Sequence, residues 1–307
     1  MHFPFTLAVA AASVAPTALA ATYSLSDNHV GSDFLSSFVH EAIADPTHGR
    51  VNYVDQATAI AQNLTYASGN TLILRADSKA TLDPSGPGRN SVRIRSQKTY
   101  TTHVTVFDIA HMPEGCGTWP AAWETAETGW PDLGEVDISP NAMTLHTNAN
   151  CNMPASRAQT GNPTSNVCDI VASGNTGCGV QSTTPNSFGP PFNAIGGGFY
   201  AMERTNSFIK VWFWQRSDGS TPGDLKGGAS SINTDAWGTP NALFPNTDCD
   251  LASHFGPNNI IIDLTFCGDW AGIPSIFNGA GCAAFVNQNP SAFANAFWQI
   301  NAVRVYT

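Results

Sequence analysis

Two carboxylates two residues apart, Glu135 and Asp137, are the side chains of this sequence best arranged to do chemistry. They sit in Gly134-Glu135-Val136-Asp137-Ile138, where apolar residues alternate with them. That alternation is the pattern of a β-strand that packs one face and turns the other to solvent or ligand, so both carboxylates share the open face. Such a pair suits a retaining glycosidase, in which one carboxylate attacks the sugar and another, about 5 Å away, protonates the leaving oxygen. After Asp137 the chain reads Ile138-Ser139-Pro140-Asn141 and has no further Asp or Glu until Asp169. The stretch therefore supplies half of a site of this kind. If the strand stays regular, Ser139 continues the open face and Pro140 leaves it.

Indole rings crowd this stretch along the chain. Trp119, Trp123 and Trp130 precede it, and Trp270 follows the apolar run 260–266. An indole face covers the apolar face of a sugar ring and its N–H can reach a hydroxyl, so these four are the candidate substrate-binding residues. For each, packing in the core is the competing reading. Trp212 and Trp214 alternate within an apolar strand and are expected in the core.

The elements that position these groups read as strands joined by turns. Charged residues make up only 12% of the chain, Gly and Pro number 27 and 20, and no long stretch has helical periodicity. Strand-like runs occur at 71–75, 91–95, 102–107, 208–214, 260–266 and 302–306, several of them alternating apolar with polar as half-buried antiparallel strands do. Arg204-Thr205-Asn206-Ser207 reads as a hairpin turn and 292–296 as a short helical turn. The pattern predicts an all-β sandwich of two antiparallel sheets.

A formal net charge of −10 argues against nucleic acid and anionic membrane, whose phosphates require Lys and Arg clusters. A neutral partner and a monomer are the expectation. Residues 2–20 carry no Lys, Arg, Asp or Glu, run through Leu7-Ala8-Val9-Ala10-Ala11-Ala12 and end in Ala18-Leu19-Ala20, which reads as a secretory leader over residues 1–20. The apolar run is short and broken by Pro16, which disfavours a membrane anchor. One domain over 21–307 and a secreted, extracellular location follow as expectations. In an exported chain Asn63-Leu64-Thr65 is a glycosylation sequon on Asn63. Seven cysteines should then form disulfides and leave one thiol over, with connectivity open. No Cys-x-x-Cys or His spacing suggests a metal, and no cofactor is expected.

The carboxylate strand, preceded by Gly117-Thr118-Trp119-Pro120-Ala121-Ala122-Trp123-Glu124 and followed by Met143-Thr144-Leu145-His146-Thr147, resembles the fungal laminarinase branch of glycoside hydrolase family 16. Asp45-Pro46-Thr47-His48-Gly49-Arg50-Val51, Tyr200-Ala201-Met202-Glu203-Arg204-Thr205 and Phe266-Cys267-Gly268-Asp269-Trp270 extend the resemblance over nearly the whole chain beyond the leader. It implies a concanavalin-like β-jelly-roll with a concave substrate cleft, and retaining endo-hydrolysis of β-1,3- or mixed β-1,3/1,4-glucans. It assigns Glu135 as nucleophile, Asp137 as the carboxylate that tunes it, His146 as a cleft histidine, and Trp123, Trp130 and Trp270 as subsite aromatics. The family's acid/base Glu has no match, because a short block is missing between Ile138 and Asn141. A second gap after Gly281 removes a cysteine and leaves Cys282 as the expected free thiol. A non-catalytic glucan-binding protein and a cell-wall transglycosylase are the alternative functions.

Overall fold

The computed structural model describes residues 21–138 and 141–307. The expected leader, and the parity expectation for Ser139 and Pro140, lie outside the described residues. Among those described, a nine-stranded and an eight-stranded antiparallel sheet stack face to face, and the structure matches the jelly-roll expectation. Helices are short and confined to connections, such as Gln56–Ala61 and Cys282–Gln288.

The eight-stranded sheet carries the carboxylates. Its strands are β1 (Phe38–His40), β2 (Arg93–Ser96), β3 (Thr118–Thr125), β4 (Glu135–Asp137), β5 (Ala142–His146), β6 (Asn162–Pro163), β7 (Cys178–Gln181) and β8 (Asn259–Phe266). Across the sheet they run β6-β7-β5-β4-β3-β8-β2-β1. Strand parity works as the sequence requires. Val136, Met143 and Leu145 are fully buried between the sheets, while Glu135, Asp137, Thr144 and His146 are only partly covered on the opposite, outer face.

The strand β3 has no counterpart among the sequence runs, because Pro120 and two glycine-rich flanks disguise it. Among the described residues Pro120 pairs with Leu264 of β8, and the pairing of β3 with β4 ends at Trp123. The hairpin expected at 204–207 joins Gly198–Arg204 to Phe208–Gln215. Thr205 Oγ1 closes it by accepting from the backbone N–H groups of Ser207 and Phe208 at 3.1 and 3.0 Å. The short turn expected at 292–296 is a 3₁₀ turn at Pro290–Phe293, two residues earlier.

Trp212 and Trp214 lie on the outer face of the nine-stranded sheet, buried as expected, under the segment that carries Leu225, Ile232 and Trp237. Three disulfides form: Cys151–Cys249, Cys168–Cys178 and Cys267–Cys282. The expectation that Cys282 is free is therefore corrected. Cys282 opens the helix Cys282–Gln288 with its Cα 5.9 Å from that of Cys267, within bonding range, whereas Cys116 is exposed and unpaired at the approach to β3. The pairing depends on how the 268–281 segment folds back, which spacing does not reveal.

Candidate active site

Glu135 and Asp137 face outward from β4, flanked by β3 on one side and β5 on the other. Cross-strand register sets Glu135 opposite His146 and Thr125, and Asp137 opposite Thr144 and Trp123. Directly opposed residues on one face of antiparallel strands are close neighbours, so residues eleven positions apart in sequence become one cluster. His146 Nε2 lies 3.2 Å from Asp137 Oδ2 and 3.9 Å from Glu135 Oε1. Trp130 Nε1–H donates to Glu135 Oε2 at 2.7 Å.

The strand start is held from behind. Gly134 has φ +71°, and a Cβ there would sit 2.4 Å from Phe255 and 2.8 Å from the His254 carbonyl. Its own carbonyl accepts from Thr125 Oγ1 at 2.9 Å and Asn258 Nδ2 at 3.2 Å. Two donors on one carbonyl fix the peptide plane from which Glu135 departs.

The electrostatics are those of shared protons. Burial, with the neighbouring Asp137 charge second, pushes the Glu135 carboxyl well above the carboxylate range, and His146 and the Trp130 N–H pull the other way. Burial alone would lower His146, but the hydrogen bond and charge of Asp137 and the charge of Glu135 outweigh it and raise the imidazole to about 9. An imidazolium lodged between the two carboxyl groups favours the ionised form of Glu135 and so offsets part of the effect of burial. Donor atoms of Glu135, Asp137 and His146 lie within 4.8 Å of one another, so the same trio has the reach to hold a cation. Chain spacing conceals that, because the imidazole arrives by cross-strand pairing. Asp137 is the one carboxylate that shares this cluster with Glu135 among the described residues.

The four indoles divide by environment. Trp123 is half-buried, its Nε1–H donating to Asp263 Oδ2 at 3.3 Å, with the Arg93 guanidinium 5.0 Å from its ring centroid. Trp130 is exposed but tied to Glu135. Trp119 and Trp270 meet at the far end of β3, ring centroids 5.5 Å apart, with Trp270 half exposed. The N–H groups of Trp123 and Trp130 are thus committed to protein carboxylates rather than free for a hydroxyl. The rings remain available.

Reading the sequence missed the charged residues of this face. Arg93 and Arg95 on β2 and Asp263 on β8 share the parity of Trp123, and Glu41 bridges both arginines through Nε contacts of 2.7 and 2.6 Å. Their signal was present: Arg93-x-Arg95 and Asp263-x-Thr265 interrupt otherwise apolar strands at every second residue. Asn63 is exposed between the helix Gln56–Ala61 and the strand Thr65–Ser68.

A family model described as "XgeA-like, catalytic GH16 domain" matches residues 38–306. The chain belongs to glycoside hydrolase family 16. A probable endo-1,3(4)-beta-glucanase of Neosartorya fischeri is 40% identical, over 97% of this chain and 48% of that relative. The chain spans about half the length of the curated relatives it first matches. Laminarinase 16A of Phanerochaete chrysosporium, solved with beta-glucans (6-O-glucosyl-laminaritriose) in both donor and acceptor sites, is 70% identical with a TM-score of 0.92, covering 94% of this chain and 100% of that one. An elongating family 16 β-1,3-glucosyltransferase is 38% identical with a TM-score of 0.84, covering 93% of this chain and 100% of that one. Family 16 membership accounts for the jelly-roll, and within it the Glu135 cluster occupies the middle of the eight-stranded sheet, with β4 fourth in the strand order.

Proposed function

We propose that this chain is a secreted β-1,3(4)-glucan-active family 16 enzyme in which Glu135 is the nucleophile of a retaining reaction. The single observation that carries the reading is the cluster around Glu135: a carboxylate contacted by Trp130 at 2.7 Å, beside Asp137 and His146, on a sheet face lined by Trp123. Glu135 attacks the anomeric carbon, the glycosidic bond breaks toward the leaving oxygen, and water or a second sugar later takes the glycosyl group from Glu135. His146 and Asp137 adjust the charge of the nucleophile; Trp119, Trp123, Trp130 and Trp270 supply faces for glucosyl rings. The apolar stretch of residues 2–20 supports export, and Asn63, exposed, is then a glycosylation site.

The leaving oxygen needs a proton, and no residue of this sequence matches the family's acid/base Glu. Laminarin hydrolysis is therefore expected to be slow, by the roughly 10²–10⁴-fold that a general acid contributes. In a β-1,3-linked oligosaccharyl fluoride the C1–F bond breaks as Glu135 attacks and fluoride departs without that proton, so this substrate should react. The test is a comparison of the two substrates: turnover of the fluoride with little turnover of laminarin supports the reading. Laminarin cleavage at full family rates would show that another group acts as acid, and no reaction with the fluoride would favour a glucan-binding protein. A transglycosylase reading is favoured by the likeness to the elongating glucosyltransferase. Adding laminaritriose as acceptor to the fluoride reaction distinguishes it, since longer products would form in place of free sugar.

A further inference from the structure

The ring of Trp123 is held by ion-paired side chains of its own sheet face. An indole presents two faces and one donor edge. Here Arg93 lies against the ring at 5.0 Å, and Asp263 Oδ2 takes the donor edge at 3.3 Å. The same Asp263 oxygen accepts from Arg93 Nη1 at 3.1 Å, so stacking cation and edge acceptor are themselves joined. Arg93 is then fixed from its other side, where its Nε donates to Glu41 Oε2 at 2.7 Å. Glu41 in turn takes Arg95 Nε at 2.6 Å, and Arg95 Nη2 reaches Glu127 at 2.9 Å. The side chains of Arg93 and Asp263 are only 9% and 7% exposed, so they have little surface with which to meet a polysaccharide themselves.

We propose that Arg93 and Asp263 are positioning residues that lock the Trp123 indole as a fixed platform for one glucosyl ring of a β-glucan. The inference rests on Trp123 stacking against glucan, as read above. A ring held at one face and one edge has a single face left to offer. Ordering it in advance removes a cost that binding would otherwise bear. Arginine suits the task where lysine does not, because its planar fork stacks on an aromatic face and bonds two carboxylates at once. Ion pairs that served only to tie β1, β2 and β8 together would need no shared oxygen with an indole N–H.

The experiment is a double-mutant cycle read by calorimetric binding of laminarihexaose, with melting temperatures alongside. Trp123→Ala sets the reference and should weaken binding about 10-fold. Arg93→Met and Asp263→Asn should each weaken it several-fold in the native background, with no further loss once Trp123 is Ala; Arg93→Lys should fall between Arg93→Met and the native chain. Unchanged affinity in a folded Arg93→Met, or losses that add fully to that of Trp123→Ala, would overturn the proposal and leave a purely structural ion pair. If Arg93→Met does not fold, Arg93→Lys and Asp263→Asn complete the same cycle. A Trp123→Ala protein that binds as tightly as the native one would refute the stacking reading itself.

Discussion

Each sheet of this protein carries two tryptophans of one strand on its outer face, and the two pairs have met opposite fates. On the nine-stranded sheet, Trp212 and Trp214 lie with rings 7° from parallel, and Trp237 closes over them edge-on at 86° and 87°. The covering segment satisfies what it buries, since Trp212 Nε1–H donates to the Gly238 carbonyl at 3.1 Å. On the eight-stranded sheet, Trp119 and Trp123 stay part-exposed, Trp123 against Arg93 and Asp263 of an ion-paired cluster that includes Glu41 and Arg95. A patch of aromatic surface becomes core when a loop delivers apolar residues over it, and remains open when charged neighbours make such a lid costly to desolvate. The difference lies in what covers the rings, not in the rings.

The contrast breaks most sharply at the charged face. Glu135→Gln should abolish turnover of an activated β-1,3 oligosaccharyl fluoride, a loss on the order of 10⁴-fold or more, while the melting temperature holds or rises. A rise follows where a desolvated carboxyl group beside the Asp137 charge is replaced by a neutral isostere. Substantial residual turnover would move the nucleophile elsewhere.

Exchanging the two aromatic regions comes next. Trp237→Ala should cost about 3–5 kcal/mol of stability, as removal of a buried large aromatic does, and leave laminarihexaose affinity within twofold. Trp123→Ala should do the reverse, lowering affinity with a small change in denaturation midpoint. A Trp123→Ala protein that unfolds early and binds normally would place both pairs in the core.

A smaller effect follows from pH. The folded His146 titrates near 9, above the ordinary imidazole, so its contribution to stability is complete below about 6.5 and disappears as pH rises through 9. Glu135, also raised, acts in the same direction. The native melting temperature should therefore fall between pH 6.5 and 9, and His146→Gln should flatten that fall. Parallel profiles for the two proteins would uncouple the imidazole from its carboxylates.

The smallest effect concerns Cys116, exposed and outside the disulfides. Ellman titration of the native protein should find one reactive thiol, and Cys116→Ser should remove it without shifting the melting temperature. A thiol that persists in Cys116→Ser would reopen the Cys267–Cys282 pairing.

Much of this was legible in the residues themselves. Alternation in 134–138 put Glu135 and Asp137 on one face, because strand periodicity is a local property of the backbone. The same rule put Trp212 and Trp214 together on one face of their strand, and the turn chemistry of Thr205 made the hairpin. Other features depended on which strands become neighbours, which no local pattern encodes. His146 meets Asp137 only because β5 pairs with β4 in that register. Arg93 and Asp263 reach Trp123 only because β2, β8 and β3 lie side by side, although 170 residues separate Arg93 from Asp263. Cys282 took Cys267 rather than remaining free for a similar reason: the chain between them folds back on itself. Sequence determined the faces of the strands and the kinds of chemistry they could bear; tertiary pairing decided which side chains would share a proton, a ring or a sulfur, since those contacts join residues that only the packed sheets bring together.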